Sequence, residues 1–232
     1  MPKPIVLAMT GASGAIYSVR LLQLLLAASR EVHFTISPSG QAVVQQELGI
    51  SLALNRFDLN LLLATKFDKL PSLRLRPVEQ VMEPTSLDIA SNSTDSYAKR
   101  FVYHHYQDYM TPIASGSFLT EGMVIAPCSG STLSGVVHAS SNNLIQRAAD
   151  VHLKERRKLI LVPRETPMST LQLENMWRVS QAGATVLPAS PGWYHTVHGM
   201  EDLVDFVVAR VLDHLGVEHR LMQRWGERTD ER

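Results

Sequence analysis

The sequence predicts an α/β domain built on a parallel, doubly wound sheet. Three observations point that way. Five short apolar runs recur along the 232 residues, each leading into small or turn-forming residues and then a helical pattern. The run KLILV, flanked by charge, lacks the apolar–polar alternation of a half-solvated strand, as expected where helices cover both faces. The side chains with chemical potential fall just after a run or at the start of a helix, where open α/β sheets hold their ligands.

The first run, IVLAM, spans Ile5 to Met9 and stops at Thr10-Gly11-Ala12-Ser13-Gly14-Ala15. A helical pattern follows through Leu26. Strand, glycine turn and helix together form a phosphate cradle: glycines let the backbone approach, and free helix N–H groups attract anionic oxygen. The second strand, 31–36, ends at Ser37-Pro38-Ser39-Gly40. A dinucleotide site would want Asp or Glu there for the ribose hydroxyls. The chain offers Ser37 instead, with Glu31 at the opposite end. That argues against NAD and for a mononucleotide with a ribityl chain. The next helix, QAVVQQEL, carries Glu47 in its last turn before a Gly49 stop. A carboxylate there opposes the helix dipole, so it invites a second role.

Residues 50 to 112 give weaker signals. SLALNRFDLNLLLA suggests a helix, and SNSTDS at 91–96 suggests a loop. His104 and His105 are adjacent, point to different faces and make a poor metal pair, so no metal is assigned. The stretch 55–112 reads as an elaboration on the domain edge or in assembly. A small-residue turn, Ala114-Ser115-Gly116-Ser117-Phe118, precedes the third clear strand at 122–126. Next come PCSGST and the helix TLSGVVHA, capped by Ser129 or Ser131, whose N–H groups offer a second anion or flavin-edge site. Cys128 has no His or Asp in its motif to activate it, so it reads as a partly buried thiol lining a pocket.

Asn142 or Asn143 opens a helix carrying Arg147 and Lys154, seven apart and therefore on one face. KLILV is the fourth strand, and Arg164 and Glu165 lie just beyond it. A carboxylate fixed beside cations there suits acid–base chemistry on an anionic substrate. Ser169 or Thr170 caps LQLENMWRVSQAG, which stops at Gly183. ATVLP is the fifth strand, and its exit loop 189–195 carries Trp193, Tyr194 and His195; aromatics there wall a ligand site or anchor the loop in the core. EDLVDFVVARVLDHLG is an amphipathic helix ending at Gly216, with Arg210 near its last turn. The tail 217–232 is polar apart from Leu221, Met222 and Trp225. Lys154, Arg164 and Arg210 lack obvious local partners. Their convergence would need a dianion, for which a phosphate monoester suffices at about 1.5–3 kcal/mol per charge-assisted bond.

Composition narrows the class. A formal net charge of zero argues against nucleic-acid and anionic-membrane partners. One cysteine excludes an intrachain disulfide and fits a reducing compartment. No signal peptide or membrane span is apparent, so the expectation is one cytoplasmic domain over 1–232, of the flavodoxin- or Rossmann-like three-layer sandwich type.

The chain closely resembles the UbiX family of flavin prenyltransferases. The resemblance rests on TGASGA, ASGSF, PCS followed by TLSG, RAADVHLKERRKLILVPRETP, the ENM helix, WY and ARVLD. It covers nearly everything outside about 60–110. It implies a flavodoxin-like, usually dodecameric enzyme that binds FMN across subunit contacts. Such an enzyme joins a dimethylallyl group, taken from its monophosphate without a metal, to N5 and C6 of reduced FMN. The product serves a UbiD-type decarboxylase, often in ubiquinone synthesis. By position, the resemblance makes Gly11, Ala12, Ser13, Ser37, Ser129, Gly130, Ser131, Thr132 and Arg147 FMN contacts. Lys154, Arg164, Tyr194 and Arg210 would clamp the donor phosphate. Ser13, Glu47 and Glu165 would handle protons, with Lys154 also catalytic. Trp193 replaces the usual Phe, Gln172 stands where a His is common, and the 60–110 region is longer than usual. The alternatives are a flavin-dependent cysteine decarboxylase, whose PASANT-type loop is PCSGST here, and a non-catalytic FMN carrier.

Overall fold

Six parallel strands form the sheet of the computed structural model, which describes residues 2–64, 66–83, 94–194 and 196–226. In chain order they are β1 (Ile5–Met9), β2 (Val32–Ile36), β3 (Phe101–Tyr103), β4 (Gly122–Cys128), β5 (Lys158–Pro163) and β6 (Thr185–Val186). Their spatial order, β3-β2-β1-β4-β5-β6, is that of the dinucleotide-type doubly wound sheet. The five strands read from sequence are all present. The sixth, β3, pairs with β2 at the sheet edge in the register Val32 to Phe101 and Phe34 to Tyr103. It is three residues long and followed by histidines, so no apolar run announces it.

Two cores sandwich the sheet. Ile5, Leu7 and Met9 of β1 face one core, which α1 (Ala15–Ala27) and α9 (Met200–Leu215) cover. Val6 and Ala8 face the other, beneath α6 (Gly130–Val137) and α7 (Leu144–Lys154). Burial on both faces explains why β1, β4 and β5 read as apolar runs. Hydroxyl and amide caps set the helix starts. Ser37 accepts from Gly40 N at the head of α2 (Pro38–Leu48), at 3.0 Å. Ser129 accepts from Thr132 N and Asn143 from Gln146 N, which settles both open choices of cap. Ser169 and Gln172 form a reciprocal capping box on α8 (Thr170–Gln181).

The elaborated segment departs from expectation. Of SLALNRFDLNLLLA only α3 (Leu59–Leu62) is helical, because Asp58 stops the chain to cap it. Two further short helices follow, α4 (Val78–Val81) and α5 (Thr94–Lys99). The expected loop at 91–96 is half inside α5, and 91–93 lie outside the described residues, as does His195.

An ion pair joins α1, α9 and this segment. Arg20 donates through Nε to Asp205 at 2.7 Å, with 1% and 0% of the side chains exposed. Arg76 adds a second guanidinium at 2.9 Å from the same carboxylate. Replacing Asp205 with Asn leaves two arginines around a neutral amide, one of them fully buried. Urea denaturation is expected to show a loss of about 3–5 kcal/mol, and a loss below about 1 kcal/mol would contradict the role given to the pair.

Candidate active site

The sheet order reverses between β1 and β4, which opens a crevice at their carboxyl ends. Thr10 closes the base of that crevice. Its Oγ1 donates to Pro127 O at 2.7 Å and accepts from Ser129 N at 2.8 Å, so the two turns move as one. The turn at Gly11 lies so close to Ser39 that a Cβ at Gly11 would sit 2.4 Å from Ser39 Cβ. Between these turns is a pocket of about 280 Å³, lined by Gly11, Ser37, Ser39, Ser129, Thr132 and Gln146 among others. The amino ends of α2 and α6 open onto it. Hydroxyls, an amide and helix N–H groups suit the ribityl chain and phosphate of a mononucleotide, and no carboxylate lines the pocket to hold a second ribose. FMN fits this donor set.

On the other side of the Gly11–Gly14 turn lies a larger cavity of about 610 Å³. Its polar lining includes Ser13, Glu47, Arg164 and Lys69, and its apolar lining Ile16, Leu70, Leu73 and Val204. Glu47 leaves the end of α2 to cap the start of α1, accepting from Gly14 N at 3.0 Å and Ala15 N at 2.9 Å. Its cost at its own helix's carboxyl end is offset by a favourable place at the other helix's amino end. Two N–H groups at the head of α1 thus serve Glu47, and the helix starts that open onto the smaller pocket are those of α2 and α6. Gly14, at φ 110°, makes the turn that presents those groups. Tyr17, one turn into α1, also lines the cavity. Burial, and then the Glu47 charge, raise its phenol pKa against the opposing pull of Arg164, so it stays a neutral donor at physiological pH. Sequence reading passed over it, though its place three residues after Gly14 was a usable signal.

Arg164 reaches toward this turn, Nε to Ser13 O at 3.4 Å. Glu165 accepts from Gln172 Nε2 at 3.1 Å, and that nitrogen is 3.0 Å from where a Gly130 Cβ would stand. The residue that departs from the family's His therefore orients the acid and touches the PCSGST turn. Tyr194 packs edge-on against Phe206 and Trp225, each at 5.6 Å between ring centres.

The remaining cations do not gather here, which corrects the expected convergence within one chain. Arg210 pairs with Asp213 at 2.8 Å, further along α9 than cavity-lining Val204. Arg147 and Lys154 do share one face of α7, but that face lies over the Ala114-to-Gly116 turn. Arg147 donates to Ala114 O at 3.1 Å and pairs with Asp150, while Lys154 pairs with Glu155. Arg164 alone of the expected clamp lines the cavity. Cys128 is also corrected: it is 1% exposed inside the second core rather than lining a pocket. Among the described residues no three His, Cys, Asp or Glu side chains group as a metal site, and no helix is long and apolar enough to cross a membrane.

Comparison with known proteins places this geometry. A family model described as Flavoprotein matches residues 1–212. The flavin prenyltransferase UbiX of Pseudomonas aeruginosa is 45% identical over 226 residues, covering 97% of this chain and 95% of its own. The chain belongs to the UbiX family of flavin prenyltransferases. Two solved members superimpose on it throughout. One, AnUbiX (PadA1) in complex with FMN and dimethylallyl pyrophosphate, has a TM-score of 0.74 at 32% identity, over 99% of this chain and 100% of that one. The other, a dodecameric FMN-dependent UbiX-like decarboxylase from Escherichia coli O157:H7, has a TM-score of 0.72 at 34% identity, over 97% and 100%. Membership carries with it FMN binding and prenyl transfer to the flavin.

In this prenyltransferase the single thiol is closed off from solvent. Burial pushes Cys128 up to about 12, which removes the reactive thiolate at neutral pH. Native protein at pH 8 is expected to resist iodoacetamide for hours and to react within minutes once unfolded. Fast native alkylation, read by mass spectrometry, would contradict its placement.

Proposed function

We propose that the chain transfers the dimethylallyl group of dimethylallyl monophosphate to N5 and then C6 of reduced FMN, and passes the prenylated product to a UbiD-type decarboxylase. One observation carries the reading. A hydroxyl-lined pocket fit for a mononucleotide adjoins, across the Gly11–Gly14 turn, a cavity whose lining combines ionic side chains with apolar ones. An allylic phosphate has both an anionic and an apolar part to match. Reduced FMN supplies the electron-rich ring atoms that accept the prenyl carbon.

The chain's own groups divide the rest of the work. Gly11, Ala12 and the Ser37 and Ser129–Thr132 turns hold the mononucleotide. Arg164 meets charge building on the phosphate as the allylic C–O bond breaks, a stabilisation that grows toward the transition state. The apolar lining excludes water that would otherwise capture an allylic cation. Glu47 fixes the Gly14 turn and with it the Ser13 hydroxyl. Glu165, oriented by Gln172, takes the proton released when the fourth ring closes.

Lys154, Tyr194 and Arg210 complete the donor clamp and Arg147 the FMN site once copies associate. Self-association delivers the α7 cations, and exposed apolar side chains such as Met110 at 95% and Leu119 at 56% exposure are available to bury between copies. Arg210 exchanges Asp213 for the donor phosphate. A dodecamer like that of the Escherichia coli relative is the proposed assembly.

Anaerobic incubation with FMN, reductant and dimethylallyl phosphate is expected to raise the flavin mass by one dimethylallyl unit; an unchanged flavin rules the reading out. Glu165→Gln is expected to keep FMN affinity within about twofold of wild type while losing about 100-fold or more in turnover, and undiminished turnover would remove Glu165 from its role. Arg210→Ala is expected to raise KM for the donor about tenfold or more, and an equal loss of FMN affinity would place it elsewhere.

A further inference from the structure

The elaborated segment does more than decorate the edge of the sheet. Three residues that line the larger cavity, Lys69, Leu70 and Leu73, belong to it. The segment is fastened to α1 on both sides of those residues. Gln23 donates through Nε2 to Ala64 O at 2.9 Å, and Arg20 donates through Nη1 to Arg76 O at 2.8 Å. The Arg76 side chain then grips Asp205 and also donates to Leu221 O at 2.6 Å. Between these anchors the backbone turns twice, with Leu70 N donating to Phe67 O and Leu73 N to Leu70 O. Phe67 is 3% exposed, Leu73 1% and Leu75 7%, so the turns are packed into the first core.

We propose that residues 66–75 form a fixed roof over the donor's hydrocarbon, and that Leu70 and Leu73 set how long a prenyl chain the enzyme accepts. The inference rests on the prenyl transfer proposed above and names the part of the chain that selects the donor. The chemistry of the lining supports the assignment. The roof's leucines line the cavity together with Ile16, Met200 and Val204, which gives the donor's hydrocarbon an apolar stretch of wall beside the polar Tyr17, Gln46 and Glu47. Lys69 lines the same cavity as Arg164, so two cations are available to the phosphate end of the donor. An apolar slot discriminates through volume, and each extra or missing carbon changes selectivity by about tenfold or more. Arg76 is a positioning residue in this scheme: it touches no substrate and acts by holding the roof on Asp205.

The test compares dimethylallyl phosphate with the ten-carbon geranyl phosphate in the full-length protein, reading kcat and KM for each and the mass of the flavin product. Wild type is expected to favour the five-carbon donor by about 100-fold or more in kcat/KM. Leu73→Ala is expected to raise relative kcat/KM for geranyl phosphate about tenfold or more, through KM, with FMN affinity unchanged. Leu70→Ala, at a half-buried site where folding is not at stake, is expected to shift selectivity the same way. Arg76→Ala is expected to loosen selectivity while Arg76→Lys restores part of it. Calorimetric binding of geranyl phosphate to the complex with oxidised FMN gives a readout without turnover, and the leucine variants are expected to tighten it. If five-carbon transfer proceeds normally while neither leucine variant moves the ratio or the binding, the roof assignment is overturned. If no form of the enzyme prenylates FMN from either donor, the underlying reading falls and takes this one with it.

Discussion

The site depends on how two turns are fastened together at the point where the sheet changes direction. β1 and β4 are neighbours, and Thr10 of one is bonded twice to the Pro127–Ser129 turn of the other. Ser18 strengthens the union by donating to Ala126 O from α1. Glu47 then pins the start of α1 from a third element, α2. A short backbone turn thus has its position fixed from three directions, and it is the wall between two pockets of opposite character. Were any of these bonds loose, the mononucleotide pocket and the amphipathic cavity would drift relative to each other. Transfer between two ligands tolerates little such drift, since misplacement by about 1 Å costs on the order of 100-fold.

The layout was legible where burial writes a pattern. β1, β4 and β5 are covered on both sides, so they appear as apolar runs closed by turn residues, and the caps Ser37, Ser129 and Asn143 announce their helices. β3 left no such trace because an edge strand of three residues needs little apolar sequence. The site was legible as a set of loops but not as a constellation. Glu47 looked misplaced on its own helix, and only the fold shows the amino end it serves. Arg20 was hidden in an apolar helix because its partner, Asp205, lies far along the chain. Distance in sequence also concealed that Arg147 and Lys154 face the Ala114 turn while Arg164 faces the cavity.

That separation of charge has a physical rationale. Four cations held together around an empty cavity would repel one another and pay for desolvation. In the single chain each of the outlying three has a carboxylate at hand: Asp150 for Arg147, Glu155 for Lys154, Asp213 for Arg210. These pairs are partly exposed and weak, so they are readily exchanged for a stronger anion. In the assembly proposed above, such a site would gather its full positive charge only when copies and donor come together.

The chain's three tryptophans all lie at its surface. Trp177, Trp193 and Trp225 are 63%, 71% and 83% exposed. Indole emission shifts to the blue when water leaves the ring, and here no indole is enclosed by the folded chain itself. Intrinsic fluorescence of this protein is therefore a gauge of what covers its exterior. Its colour responds to whatever excludes water from those three rings, and little to the packing of the interior.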